Sequence, residues 1–255
     1  MSEPKVHIFM DNSNIFISAQ DEAKNHDGPG SRHNLRLQFD HLINLAIAGR
    51  PLGSAFVVGS VPPDEDAVWK QLERASGVKP ELFERGEFSG GEQGVDQCLQ
   101  VHMLRALRKN TEPQIAVLLT GDGAGYEDGV GFHADLEGMH ADGWGVEVLS
   151  WQTHCRWALK KWTKANGVFV ALDDYYDQIT FIEGGRFSNP LNLSSRVLAK
   201  TRLNPAQLAL QKVEQEKQAE IDTLRKELQE IKSAVAQKAA SKARHNKRFQ
   251  AGKRK

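Results

Sequence analysis

The chain has 255 residues, 40% of them apolar, enough for one large domain with an appendage or two small ones. Two distant cysteines, Cys98 and Cys155, give neither a disulfide framework nor zinc-site spacing, which points to a reducing, cytoplasmic setting; no apolar run approaches a membrane span and no signal-peptide pattern opens the chain, so no membrane role is expected. The neutral net charge averages two unlike parts: residues 1–195 hold 17 Lys and Arg against 27 Asp and Glu, and residues 196–255 hold 16 against 6.

In chain order, Val6 to Met10 form a short apolar run that breaks into Asp11-Asn12-Ser13-Asn14. This reads as a buried strand ending in a turn rich in side-chain acceptors. Residues 23–34 are polar and carry Gly and Pro, the composition of a loop. From Leu35 to Ala48 the apolar positions 35, 39, 42, 43 and 46 predict a helix. Residues 54–60 predict a second strand, followed by a loop and a helix closed by Gly77, and residues 79–86 offer a weaker third strand. Residues 91–110 predict a helix with Val95, Leu99, Met103, Leu104 and Leu107 on one face. Gln114 to Leu119 is the strongest strand and ends in Thr120-Gly121-Asp122-Gly123. A helix ended by Gly143 and a strand over 145–151 follow, and residues 157–182 supply a helix and closing elements. Apolar strands alternating with helices predict a parallel sheet covered on both faces. The working site of such a sheet lies at the carboxyl ends of its strands, near a topological switch point.

Asp11 and Asp122 fall on strand ends, and Asp96 opens the helix that precedes the strongest strand. Carboxylates converging from three segments repel one another, and cations relieve that repulsion. With oxygen ligands only, and no nearby His/Cys pattern, the ions expected are Mg²⁺ or Mn²⁺. Two such ions can activate a water and stabilise the leaving oxygen of a phosphodiester. Taken singly, each aspartate has a plainer role as a helix cap.

The segments Ile8-Phe9-Met10-Asp11-Asn12-Ser13-Asn14, Glu92-Gln93-Gly94-Val95-Asp96 and Leu118-Leu119-Thr120-Gly121-Asp122, in that order, resemble the NYN branch of the PIN-like metal-dependent ribonucleases. The resemblance spans roughly residues 5–183. It implies a three-layer, Rossmann-like α/β domain with a mostly parallel central sheet, acting as a metal-dependent ribonuclease on single-stranded or structured RNA. Asp11, Asp96 and Asp122 would be metal ligands, Asn14 would orient the first loop, and Thr120 and Gly121 would shape the turn. Asn12, Ser13 and Thr120 are candidate substrate contacts. Many members carry a fourth acid two residues after the third, where this chain has Ala124. The loop ending Tyr126-Glu127-Asp128-Gly129 resembles members with a longer loop, and Asp128, ahead of a glycine that permits a sharp turn, is chosen over Glu127. A von Willebrand A-like metal-adhesion motif is disfavoured because Ile15 stands where a serine ligand is needed.

Other residues carry plainer readings. His154 and Cys155 read as a packed or surface pair, and His133 and His140, seven apart on one helix face, as surface residues. Trp144, Trp151, Trp157 and Trp162 read as core or edge packing. Lys160, Lys161 and Lys164 form a basic cluster within reach of phosphates or a solvated helix face.

The chain divides into a catalytic domain over 1–195, a helical segment over 196–237 and a basic tail over 238–255. Ile221, Leu224, Leu228, Ile231 and Val235 form a short a/d seam, which serves either a homodimer through residues 210–235 or packing back on the body. The tail has eight basic residues and no acid, so it is expected to be disordered when free and to attract nucleic-acid backbone. A catalytically weak RNA-binding module recruited by this tail, and an assembly protein built on seam and tail, are the alternative readings.

Overall fold

The computed structural model describes residues 3–61, 69–70, 72–73, 78, 80–84, 94–122 and 129–252. Within them the chain runs β1 (Val6–Asp11), α1 (Asn12–His26), β2 (Leu35–Leu37), α2 (Phe39–Ile47), β3 (Leu52–Val61), β4 (Pro80–Glu84), α3 (Val95–Lys109) and β5 (Ile115–Leu119). It continues with α4 (Gly131–Ala141), β6 (Gly145–Ser150), α5 (Trp157–Asn166), β7 (Val168–Ala171), a 3-10 turn at Leu172–Tyr175, α6 (Tyr176–Ile179), β8 (Thr180–Ile182) and α7 (Pro205–Gly252).

Six strands form one sheet in the order β4-β3-β1-β5-β6-β7, and every pairing in it is parallel. β1, β5 and β6 are buried at every position, as central strands covered on both faces must be. Alternation along β1 splits its side chains between the two faces. Val6, Ile8 and Met10 pack with Ile15, Ala19 and Ala23 of α1 and Leu42 and Leu45 of α2. Phe9 points the other way, into a cluster with Leu99 and Met103 of α3, Leu136 and Met139 of α4 and Leu159 of α5. The result is a three-layer α/β domain. From β1 the chain moves outward to β3 and β4, then crosses back to β5 on the other side. The switch point therefore lies between β1 and β5.

Two local expectations are corrected. The polar stretch after Asp11 is helix, not turn. Ile15, Ala19, Glu22 and Ala23 recur at helical spacing and are buried, while the intervening Gln, Asp and Lys hide that stripe in the sequence. The helix expected from Leu35 begins only at Phe39, because Leu35–Leu37 pairs antiparallel with β8 as a separate two-stranded ribbon. The helix expected near Gly77 falls mostly outside the described residues.

Glu147, on β6, is fully buried and is met by two guanidinium groups. Arg50 reaches it bidentately at 2.7 and 3.0 Å, Arg196 donates to the Oε2 that Arg50 also meets, and the Ala199 N–H donates to Oε1 at 2.8 Å. Through this cluster residues 196–204 fold against the sheet, and the first compact unit runs Met1–Asn204. The second unit, Pro205–Lys255, is built on α7. Pro205 opens that helix, where its missing N–H costs nothing. Ile221, Leu224, Leu228, Ile231 and Val235 are exposed along it. The helix continues to Gly252, through most of the stretch expected to be disordered; its Ala, Lys, Gln and Arg residues are strong helix formers. Among the described residues no helix is long and apolar enough to cross a membrane.

Candidate functional site

Asp11 is the last residue of β1 and the N-cap of α1, its Oδ1 accepting the Asn14 N–H at 3.0 Å. The capping role expected of an isolated aspartate is thus real here, and it fixes the carboxylate at the mouth of the sheet, where it is 7% exposed. Asn14 then reaches across the switch point: its Oδ1 accepts the Gly121 N–H at 2.7 Å. The next residue, Asp122, donates its N–H to Thr120 Oγ1 at 3.1 Å. The loop after β6 closes on the same turn. The Arg156 N–H donates to Gly121 O at 2.9 Å, and the Arg156 Nε lies 3.5 Å from Asp122 Oδ1. A Cβ on Gly121 would sit 2.5 Å from the His154 carbonyl oxygen, so only glycine fits between the two loops. The loops after β1, β5 and β6 are laced into one surface.

Asp96 reaches this end of the sheet from α3. Gly94 caps that helix with φ +90°, a conformation glycine adopts readily, and Asp96 lies in the first turn. The helix packs its Val95, Leu99 and Met103 against the face of the sheet that Phe9 occupies. Asp128, with Glu127, lies outside the described residues.

The donor set suits a hard cation. Asp11 ends β1, Asp122 follows β5 and Asp96 lies in the first turn of α3, and the Oδ1 of Asn12 is buried with no hydrogen-bond partner among the described residues. Asp11, Asp96 and Asp122 do not close into a tight cage. Among the described residues the one trio of His, Cys, Asp or Glu ligand atoms lying within 4.8 Å of one another is Glu81, Cys98 and His102. An open carboxylate set fits Mg²⁺ or Mn²⁺, since magnesium keeps several waters and takes only one or two carboxylates beside substrate phosphate.

The remaining candidates separate by their contacts. Lys160 donates to Gln152 O at 2.8 Å, in the loop after β6. Lys161 sits over the exposed Trp157 ring at 4.7 Å and Lys164 over Phe169 at 5.5 Å, so aromatic faces hold two of the three ammonium groups. His133 and His140 do share a face, with both rings edge-on to Trp162, but His133 is buried and not a surface residue. Trp144 and Trp151 are core, the latter donating from its ring to Ile15 O at 2.9 Å.

Three groupings went unread in the sequence. His154 lies with its Nδ1 3.4 Å from Glu22 and its Nε2 3.7 Å from Asp21, and Thr153 donates to Glu22. Arg156 gains its place beside Asp122 only through loop packing. Cys98 and His102 meet Glu81 across the α3–β4 contact, where burial, and then the adjacent carboxylate, push the Cys98 thiol up to about 12. The Cys98-x-x-x-His102 spacing was a legible signal for that pair.

A family model described as NYN domain matches residues 5–169. The chain belongs to the NYN domain family. The matched span runs from the residue before β1 into β7 and contains Asp11, Asn14, Asp96 and Asp122, so the NYN domain and the strand-end surface coincide. No curated protein matches the chain. Among solved structures, a protein of unknown function from Vibrio parahaemolyticus matches at 15% identity and a TM-score of 0.48, over 68% of this chain and 94% of that one.

Proposed function

We propose that this NYN domain is a divalent-metal-dependent ribonuclease that hydrolyses RNA phosphodiester bonds, with water as the nucleophile and no covalent enzyme intermediate. The observation that carries this reading is the Asn14–Gly121 hydrogen bond, which joins the Asp11 and Asp122 loops across the switch point of a parallel sheet. Asp11, Asp96 and Asp122 hold Mg²⁺ or Mn²⁺, with Asp128 as the fourth carboxylate. When bound, the ions acidify a water and neutralise charge on the phosphate. Asn14 is the positioning residue that keeps the two aspartate loops together. Asn12, Ser13 and Thr120 present hydrogen-bonding groups to the scissile phosphate and its neighbours, and Lys160, Lys161 and Lys164 contact the RNA backbone beyond it.

An acidic domain repels RNA, and the basic residues of 238–255 offset that by drawing the backbone in without sequence preference. The exposed seam of α7, within residues 210–235, pairs with a second copy of the chain. A second reading, an RNA-binding module with little activity, draws on Ala124 standing where many members of the family carry an acid. The two separate in one assay: purified protein incubated with single-stranded and structured RNA, with Mg²⁺ or Mn²⁺ and with chelator. Metal-dependent cleavage supports the nuclease. RNA binding with no cleavage under any metal supports the binding module.

A further inference from the structure

We propose that Glu81, Cys98 and His102 form a second metal site, chemically unlike the aspartate cluster, that takes a zinc-class cation. Cys98 and His102 are four residues apart on α3 and so project from one face of the helix. Glu81 faces them from β4. Its Oε2 accepts from Cys98 Sγ at 3.0 Å and its Oε1 lies 2.7 Å from His102 Nε2. All three ligand atoms lie within 4.8 Å of one another, a span that one ion can bridge. The His102 ring is held by stacking on Phe56 at 3.9 Å between centroids, so its donor nitrogen is aimed before any ion arrives.

The donors decide which ion. One sulfur, one imidazole nitrogen and one carboxylate oxygen match the tetrahedral preferences of Zn²⁺ and the related ion Co²⁺, with water in the fourth position. Mg²⁺ has little affinity for thiolate and imidazole and favours the all-oxygen aspartates. On ligation Cys98 releases its proton to solvent, His102 offers the Nε2 lone pair, and Glu81 exchanges its two hydrogen-bonding contacts for a bond to the ion.

The site also has a place in the architecture. Glu81 and Cys98 are 17 residues apart, and the chain between them leads into Gly94 and Asp96. A bound ion pins α3 to the sheet's edge strand. It lies on the other side of the helix from Asp96, two residues and thus about 200° round from Cys98. The ion therefore fixes the helix that carries a catalytic carboxylate without competing for it.

The test uses the full chain, stripped with chelator and titrated with Co²⁺ and then Zn²⁺. The expected result is one equivalent of Co²⁺ giving tetrahedral ligand-field bands and a thiolate-to-cobalt charge-transfer band in the near ultraviolet, all abolished by an equivalent of Zn²⁺. Cys98→Ser loses the charge-transfer band, and Glu81→Gln and His102→Ala weaken Co²⁺ binding by at least about tenfold. Asp96→Asn keeps the band, which separates this site from the aspartate cluster. Glu81 is exposed, so Glu81→Gln gives a variant whose folding the substitution does not threaten, checked by circular dichroism. Absence of a charge-transfer band in the wild type overturns the proposal. So does its persistence in Cys98→Ser, which would assign it to Cys155, or unchanged affinity in Glu81→Gln.

Discussion

Asn14, in the first turn of α1, accepts the Gly121 N–H at 2.7 Å although 107 residues separate the two in the chain. One side chain thus spans the switch point and ties the loop after β1 to the loop after β5. Asn14→Ala leaves a buried N–H without its acceptor, which costs about 1–3 kcal/mol. Urea denaturation should show that loss, and RNA cleavage should fall by at least about tenfold as the Asp11 and Asp122 loops separate. Unchanged activity in Asn14→Ala would remove the positioning role.

Glu147 tests the other end of the domain. It is fully buried between Arg50 and Arg196, so Glu147→Ala strands two guanidinium groups in a dry setting. Breaking a buried pair costs roughly 3–5 kcal/mol. Chemical denaturation should read that loss, with residues 196–204 becoming accessible to protease first. A change below 1 kcal/mol would mean that water reaches these charges.

His7 makes stability depend on pH. Its imidazole is buried beside Trp144, with Nδ1 2.7 Å from Ser54 Oγ. Burial, with Lys109 and Lys5 adding to it, lowers its pKa from 6.5 to about 4. The folded state therefore holds the neutral ring while the unfolded chain protonates it. The contribution is complete above pH 6.5 and is lost as pH falls toward 4, on the order of 2 kcal/mol by pH 5. His7→Gln should flatten the stability profile between pH 7 and 5 relative to wild type, read by denaturant titration at each pH. Parallel profiles would contradict the assignment.

The tail acts through charge alone. Deleting residues 238–255 removes eight basic residues, so RNA affinity should drop at least about tenfold at low salt, and the loss should shrink as salt rises. Fluorescence anisotropy over a salt series measures both. Equal affinity of the two proteins at low salt would take the tail out of RNA capture.

The sheet was legible because strands buried on both faces are largely apolar, and 6–10, 115–119 and 145–151 stand out as such runs despite His7 and Glu147. The ordered acids were legible for a related reason, since a strand that ends at a site ends in side chains the core cannot use. α1 was hidden because its buried stripe contains Glu22 and small alanines in place of large apolar groups. β2 was hidden because three residues show no periodicity. The Glu147 cluster and the Arg156–Asp122 contact join residues far apart in sequence, and only packing brings them together. Cys98 and His102 were readable as a pair, but Glu81, which makes them a site, comes from another strand.

The central claim rests on Asp96, the carboxylate that α3 carries to the strand ends. The decisive measurement is single-turnover cleavage of a labelled RNA with Mn²⁺ or Mg²⁺, wild type beside Asp96→Asn, with RNA binding measured in parallel. Outer-shell partners of metal ligands already cost 10–100-fold when removed, so loss of a ligand should cut cleavage by at least about 100-fold with binding retained. If wild type and Asp96→Asn are equally inert while both bind RNA, or cleave at equal rates, the nuclease assignment is contradicted.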